Sequence, residues 1–193
     1  MKKNIGARPL IYPTPAVVVG TYDQEGKPNA MTAAWVGLCC STPPCIMVAL
    51  GRNSYTNENI QMKKFFTVNI PSQQYVKEVD YFGITSGKNT DKFEDVKLTP
   101  VASDVVDAPY VKEFPLVLEC KLVDVLKIGS ADQLIGEIID VKADESVLNE
   151  AGLPDIEKVQ PMLYAPAIRQ YYSIGNHLGK AYSIGKEIKI ADK

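Results

Sequence analysis

An antiparallel Greek-key β-barrel, mainly β with a few inserted helices, is the fold the sequence predicts, and three observations predict it. Runs of β-branched and apolar residues recur along the chain, each bounded by Gly, Pro, Asn or Ser turn signals. Helical patterns fall singly between these runs, without the strand–helix alternation of a doubly wound parallel sheet. The length, 193 residues with 46% hydrophobic, suits one well-buried core and is short for two, so one domain over residues 1–193 is expected.

The elements follow in order. Ala16 to Thr21 reads as a strand, Asp23-Gln24-Glu25-Gly26 as a turn, and Asn29 to Cys40 as one long returning strand, which makes a hairpin. Ser41-Thr42-Pro43-Pro44 turns the chain into a third strand, Cys45 to Leu50. After Gly51-Arg52-Asn53-Ser54 a helix is predicted over Tyr55 to Lys64, with Ser54 or Asn53 as its cap. Phe65 to Ile70 is a fourth strand. Ser72 then opens a second helix with Tyr75, Val79 and Phe82 at helical spacing, and Gly83 is expected to stop it. Ile84 to Pro100 is a long polar loop, of a kind more often functional than idle. Val117 to Leu126 and Leu134 to Val141 are the next strands, and the tail from Asn149 carries prolines, at most a short helix, and a last strand near Arg169 to Ser173.

Composition excludes several classes of function. A net charge of −2 and no clustered lysines argue against binding to nucleic acid, which needs a basic face. No stretch reaches the roughly 18 unbroken apolar residues of a membrane helix. Met1-Lys2-Lys3-Asn4 runs straight into the segment Arg8 to Pro15 without an apolar signal region, so a cytoplasmic location is expected. Four cysteines, Cys39, Cys40, Cys45 and Cys120, lack the Cys-x-x-Cys spacing of a zinc shell and read as buried, reduced thiols. No metal site is expected.

The usual catalytic motifs are missing as well. Gly20 to Lys27 fails as a phosphate loop, because five residues separate its glycines and Pro28 stands where a Ser or Thr would hold magnesium. No Gly-x-Gly-x-x-Gly occurs. The only histidine, His177, lies between two glycines in a polar tail and reads as a surface or core-edge residue. No catalytic side chain is assigned. A chain so poor in bases and nucleophiles either binds something or takes its chemistry from a cofactor.

Three segments are suited to hold one. In Asn29-Ala30-Met31-Thr32-Ala33-Ala34-Trp35 small residues admit a ligand close to the backbone, Asn29 and Thr32 offer polar contacts and Trp35 a ring; alone, a Trp among alanines also fits core packing. Arg52-Asn53-Ser54-Tyr55-Thr56-Asn57 sets donors at a helix N-terminus, which suits an anion and equally an ordinary cap. Ser86-Gly87-Lys88-Asn89-Thr90-Asp91-Lys92-Phe93 can close over a phosphate, or simply be a solvated loop.

In this order the three segments resemble the flavin reductase-like family of FMN-binding split barrels, and most of all its flavoredoxin branch. The resemblance spans nearly the whole chain, from Tyr12-Pro13-Thr14-Pro15 through the three segments, Phe66-Thr67-Val68-Asn69-Ile70-Pro71-Ser72 and Asp80-Tyr81-Phe82-Gly83, to Phe114-Pro115-Leu116 and Ile135-Gly136-Glu137. It implies a homodimer of split barrels with FMN held in grooves at or near the subunit interface. Asn29, Met31, Thr32 and Trp35 would then follow the ring system and ribityl chain, Ser54, Thr56 and Lys92 would bind the phosphate, Ser86 and Gly87 would line the groove, and Tyr164 would cover the ring. The activity implied is that of an NAD(P)H-dependent flavin reductase, with an alternative as an FMN electron carrier served by a redox partner protein. One departure is visible: where family members often carry a Gly-x-His before the Ile-Gly-Glu strand, this chain has Gly129-Ser130-Ala131-Asp132.

Overall fold

A computed structural model describes residues 1–188; the last part of the expected 1–193 span lies outside the described residues. After a two-residue strand β1 (Thr14–Pro15), the chain forms β2 (Val17–Tyr22), β3 (Pro28–Ala33), β4 (Val36–Ser41) and β5 (Pro44–Gly51). Helix α1 (Tyr55–Lys63) leads to β6 (Phe65–Ile70), and helices α2 (Val76–Ile84) and α3 (Lys92–Val96) follow. Two short strands, β7 (Pro100–Ala102) and β8 (Pro109–Val111), precede the long hairpin β9 (Leu116–Ile128) and β10 (Ala131–Ala143). Helix α4 (Ile156–Val159) and strands β11 (Met162–Ala165) and β12 (Gln170–Ser173) follow, and a 3₁₀ turn (Ile184–Glu187) comes after them. The protein is mostly β and antiparallel in every pairing, as the sequence predicts. Among the described residues no helix is long and apolar enough to cross a membrane.

Seven strands form one sheet in the order β3-β2-β6-β9-β10-β5-β4. The alternation of side chains along β2 divides its residues between two cores. Val17 and Val19 point into the barrel with Ile46, Val48, Phe66, Val68, Cys120 and Leu134; Ala16 and Val18 point outward against Val79 and Phe82 of α2 and Phe93 of α3. Full burial of Phe82 contributes roughly 1.5–3 kcal/mol to holding α2 on this face. Across the barrel the Phe66 ring occupies the space that a side chain at Gly136 would need, so glycine at that point of β10 is a packing requirement.

Several expectations are corrected. The span Asn29 to Cys40 is two strands: the chain bends at Ala34 and Trp35, where the Trp35 carbonyl accepts from Ala49 N–H at 2.9 Å. That corner carries the chain from one edge of the sheet, β3, to the other, β4, and closes the barrel. Gly83 does not stop α2, which runs one residue further; its bare Cα lets the helix lie against Thr32 of β3. Ser72 precedes a 3₁₀ turn without a side-chain cap, and α2 proper begins at Val76. The polar loop from Ile84 contains α3, whose start is fixed by Asp91 accepting from the N–H groups of Phe93 and Glu94. Cys45 and Cys120 are buried as expected, but Cys39 and Cys40 are exposed, because β4 is an edge strand and a register shift after Leu38 disturbs its alternation.

Candidate functional site

Among the described residues β3 pairs only with β2, and a cleft lined by its residues Asn29, Met31 and Thr32 runs beside it. At one end a cavity of about 280 Å³ lies between Asn29 and Met31, the start of α1, and the turn after α2 with Lys92. Ser54 makes that wall: its backbone is extended and its Oγ accepts from Asn57 N–H at 3.3 Å, which begins α1. Arg52 turns the other way, to Asp132 at 3.0 Å. Asp132 is buried, also accepts from Asn57 and Gln61, and stands in the segment where the histidine is absent. The Asn57 hydrogen bond and the Arg52 charge hold its carboxyl below the usual range against the cost of burial. Arg52 therefore braces the loop from behind and leaves the cavity to Ser54 and Thr56.

Asn29 forms part of the cavity floor. Its Nδ2 donates to Thr56 Oγ1 at 2.9 Å and to Thr21 Oγ1 at 3.3 Å, and Asn59 Nδ2 reaches the same Thr21 hydroxyl at 3.3 Å. Its Oδ1 is buried and has no partner among the described residues. Buried acceptors are almost always satisfied, so an unpaired one on a cavity wall points to a donor supplied from outside. Gly87 packs directly on this oxygen; a Cβ there would overlap it.

Lys92 is the cation of this end. Only 4% exposed, it donates from Nζ to the carbonyls of Phe82 and Thr85, each at 3.1 Å. Among the described residues no carboxylate lies within ion-pair distance of it, and burial pulls its pKa down to about 8. An ammonium has three donors, and two are used, so one remains for the cavity. Lys88, by contrast, is paired with Glu58 at 2.7 Å and lies over the Tyr55 ring. The Tyr55 hydroxyl donates to Asp23 at 2.8 Å, and burial together with Asp23 pushes its pKa up to about 12.

Beyond Gly83 and Ile84 the cleft continues into a cavity of about 320 Å³ that takes in Thr32, Ala34, Tyr164, Arg169 and Tyr171. Tyr164 and Tyr171, opposite each other on β11 and β12, hold their rings 5.4 Å apart, and the Tyr171 hydroxyl donates to Asp80 at 3.0 Å. Burial and Asp80 raise the Tyr171 pKa, which keeps it a neutral donor. Tyr164 and Arg169 also line a third cavity of about 470 Å³ with Trp35, Arg8 and Pro166. Shared residues thus join the three spaces into one cleft.

The ten expected site residues sort along it. Asn29, Met31, Ser54, Thr56, Ser86, Gly87 and Lys92 all line the first cavity. Thr32 and Tyr164 line the second, although the Thr32 hydroxyl is engaged with the Val79 carbonyl. Trp35 is not core packing: it is 41% exposed and lines the third cavity. Thr85, Arg169 and Tyr171 are not among the expected site residues, and Asp80 enters the sequence reading only within the motif Asp80-Tyr81-Phe82-Gly83. The available signal was a pair of tyrosines on either side of the Pro166 turn, which an antiparallel hairpin brings together.

Among the described residues that line the cleft there is no histidine and no cysteine. His177 is exposed, and among the described residues no His, Cys, Asp and Glu side chains gather to hold a metal. What the cleft offers is a buried cation with hydroxyl and amide donors at one end, an unpaired acceptor in the floor, and aromatic walls at the other.

Comparison with known proteins follows the same line. A family model described as the flavin reductase like domain matches residues 9–175. The structure of flavoredoxin from Desulfovibrio vulgaris (Miyazaki F) is 53% identical, with a TM-score of 0.92 over 96% of this chain and 100% of that one. Flavoredoxin from Methanosarcina acetivorans is 32% identical, with a TM-score of 0.91 over 98% and 100% of the two chains. Nitrilotriacetate monooxygenase component B from Bacillus cereus is 26% identical, with a TM-score of 0.81 over 88% of each.

Proposed function

Because the chain belongs to the flavin reductase-like FMN-binding family, in its flavoredoxin branch, we propose that it holds FMN without a covalent link in the cleft along β3 and acts as an oxidoreductase. The observation that carries the reading is Lys92, a buried cation with no carboxylate partner among the described residues, facing the same cavity as Ser54, Thr56 and Ser86. A phosphate there would restore to the ammonium the charge compensation that burial removes. The unpaired Asn29 Oδ1 fits a hydroxyl donor such as those of a ribityl chain, and Thr32, Trp35 and Tyr164 continue along the direction of the ring system. Bound FMN supplies acceptance of a hydride and release of electrons. The residues of the chain bind it, orient it and shield one face from water.

The reductase reading, with NADH or NADPH as donor, is supported by the open space past Ala34, which leaves room for a second small molecule. A second reading, electron carriage between redox proteins without a nicotinamide substrate, is favoured by the 53% identity to a flavoredoxin. A homodimer belongs to both readings. It is supported by the apolar side chains left exposed on one chain along β4, β9 and β10, among them Leu38, Val123, Leu126, Ile128 and Val141.

The test is an anaerobic absorbance spectrum. Flavin bands that bleach within seconds of adding NADH or NADPH are expected of a reductase; bands that survive both nucleotides and bleach with dithionite identify the carrier. No flavin bands after incubation with FMN would remove the proposal altogether. A narrower check is Gly87→Ala, which pushes on Asn29 Oδ1 at the cavity wall. FMN affinity per folded molecule is expected to fall about tenfold, equivalent to one hydrogen bond, and the thermal midpoint of the cofactor-free protein falls as well, because Asn29 is held by Thr56 and Thr21 and gives way only by straining those bonds. Equal affinity would clear Asn29 and Gly87 of any role in holding the cofactor.

A further inference from the structure

The cleft has two cationic poles, whereas one FMN brings one phosphate. Lys92 and its neighbouring donors form the first. Arg8 and Arg169 form the second, past Thr32 and Ala34 at the opposite end. Among the described residues neither guanidinium has a carboxylate within 4.0 Å; Arg8 donates from Nε to the Ile5 carbonyl at 2.8 Å. The lining carboxylate at this end, Asp80, is occupied by the Tyr171 hydroxyl. Arg169 stands at φ 53°, the left-handed region that long side chains seldom adopt, and is fixed there by its N–H to the Ala165 carbonyl at 2.8 Å. Two uncompensated cations at one end of a cleft contrast with a chain whose net charge is −2. The wall between them is Trp35, Tyr164 and Pro166, flat apolar surface suited to a ring.

We propose that Arg8 and Arg169 bind the phosphate or carboxylate of a second small molecule, whose planar part lies against Trp35 and Tyr164 beside the flavin. The inference rests on the FMN reading above and narrows it: the substrate at this end is an anionic planar molecule, and the two arginines select it by charge. A guanidinium presents paired donors that match both groups. Because both arginines are exposed, the selection is screened by salt.

The test uses FMN-loaded protein and equilibrium dialysis at low salt with two matched pairs: nicotinamide mononucleotide against nicotinamide riboside, and benzoate against benzyl alcohol. In at least one pair the anion is expected to bind about tenfold more tightly than its neutral-tailed partner, a charge-assisted bond discounted for solvent. The first pair reports a phosphate and the second a carboxylate. The double variant Arg8→Ala/Arg169→Ala is expected to keep its flavin bands and lose the preference. No preference in either pair, or one that persists in the double variant, overturns the proposal. Failure of the FMN reading is seen separately and earlier, as missing flavin bands in the parent before any ligand is added.

Discussion

Replacing Lys92 by alanine is expected to loosen FMN by roughly 10- to 100-fold, the loss of one charge-assisted hydrogen bond of about 1.5–3 kcal/mol. The effect should depend on pH in a defined way. As an ammonium, Lys92 gives two N–H groups to Phe82 and Thr85 and keeps a third for the cavity; as a neutral amine it has only the two. Its pKa of about 8 in the cofactor-free protein means that the third donor is lost as pH rises through that value. FMN affinity in the parent should therefore fall from pH 7 to pH 9, with proton uptake on binding at the upper end. Lys92→Met, which keeps the packing, should bind weakly at both pH values and show no slope.

The same group predicts how cofactor-free stability responds. The unfolded lysine titrates near its ordinary value of 10.5, above the folded value of about 8, so between these limits the unfolded chain carries more protons. Stability must then rise with pH across that window, and its contribution is lost as pH falls toward 8. Urea midpoints measured along the window in the parent and in Lys92→Met should differ in slope. Flavin titrations at two pH values that superimpose for both proteins would sink the assignment of Lys92 to the phosphate.

A larger cost in stability is expected at the back of the barrel. Glu119 of β9 is fully buried, and its Oε2 accepts from Lys142 Nζ of β10 at 2.7 Å, while Oε1 has no partner among the described residues. Lys142 also meets Asp104 at 2.9 Å; burial opposes its charge, but the bonds to Glu119 and Asp104 raise its pKa above the ordinary value. Lys142→Met leaves the Glu119 carboxylate buried without its cation, which costs about 3 kcal/mol and lowers the thermal midpoint by roughly 6–12 °C. Adding Glu119→Gln to Lys142→Met should recover most of that loss, since a neutral amide needs no counter-charge. Independent, additive losses in the two substitutions would show that the pair is not coupled. Flavin affinity per folded molecule should be the same in all three proteins.

How much of this was legible beforehand follows from the range of each signal. Local patterns are written in neighbouring residues, and so a cap at Ser54 or Asn53, the strand Phe65–Ile70 and the two strands β9 and β10 were readable, although both strands run further toward each other than their local pattern shows. The break at Ala34 and Trp35 was not, because nothing local marks it: the bend exists to join two sheet edges that meet only once the barrel closes. The short strands β7 and β8 escaped for a related reason. Each is three residues long, and their pairing is supported by Asn69 and Thr67, some forty residues upstream, through bonds to Val111 N–H and the Pro109 carbonyl. Seven of the ten site residues gather in one cavity because each sits beside a local signal, a strand of small residues, a cap or a glycine turn. Trp35 was open to two interpretations in sequence, since apolar character is the same on either side of a strand and only the fold decides which side meets solvent.

The polar chain Asn59–Thr21–Asn29–Thr56 has a consequence of its own. It ties β2, β3 and the first two turns of α1 together beneath the cleft, entirely within the protein. The rotamers that a cofactor would meet are thus already chosen when the chain folds, and little motion is left to freeze on arrival. For a redox centre such stiffness matters a second time: a floor that does not rearrange when charge arrives or leaves lets electrons pass in either direction with little nuclear displacement.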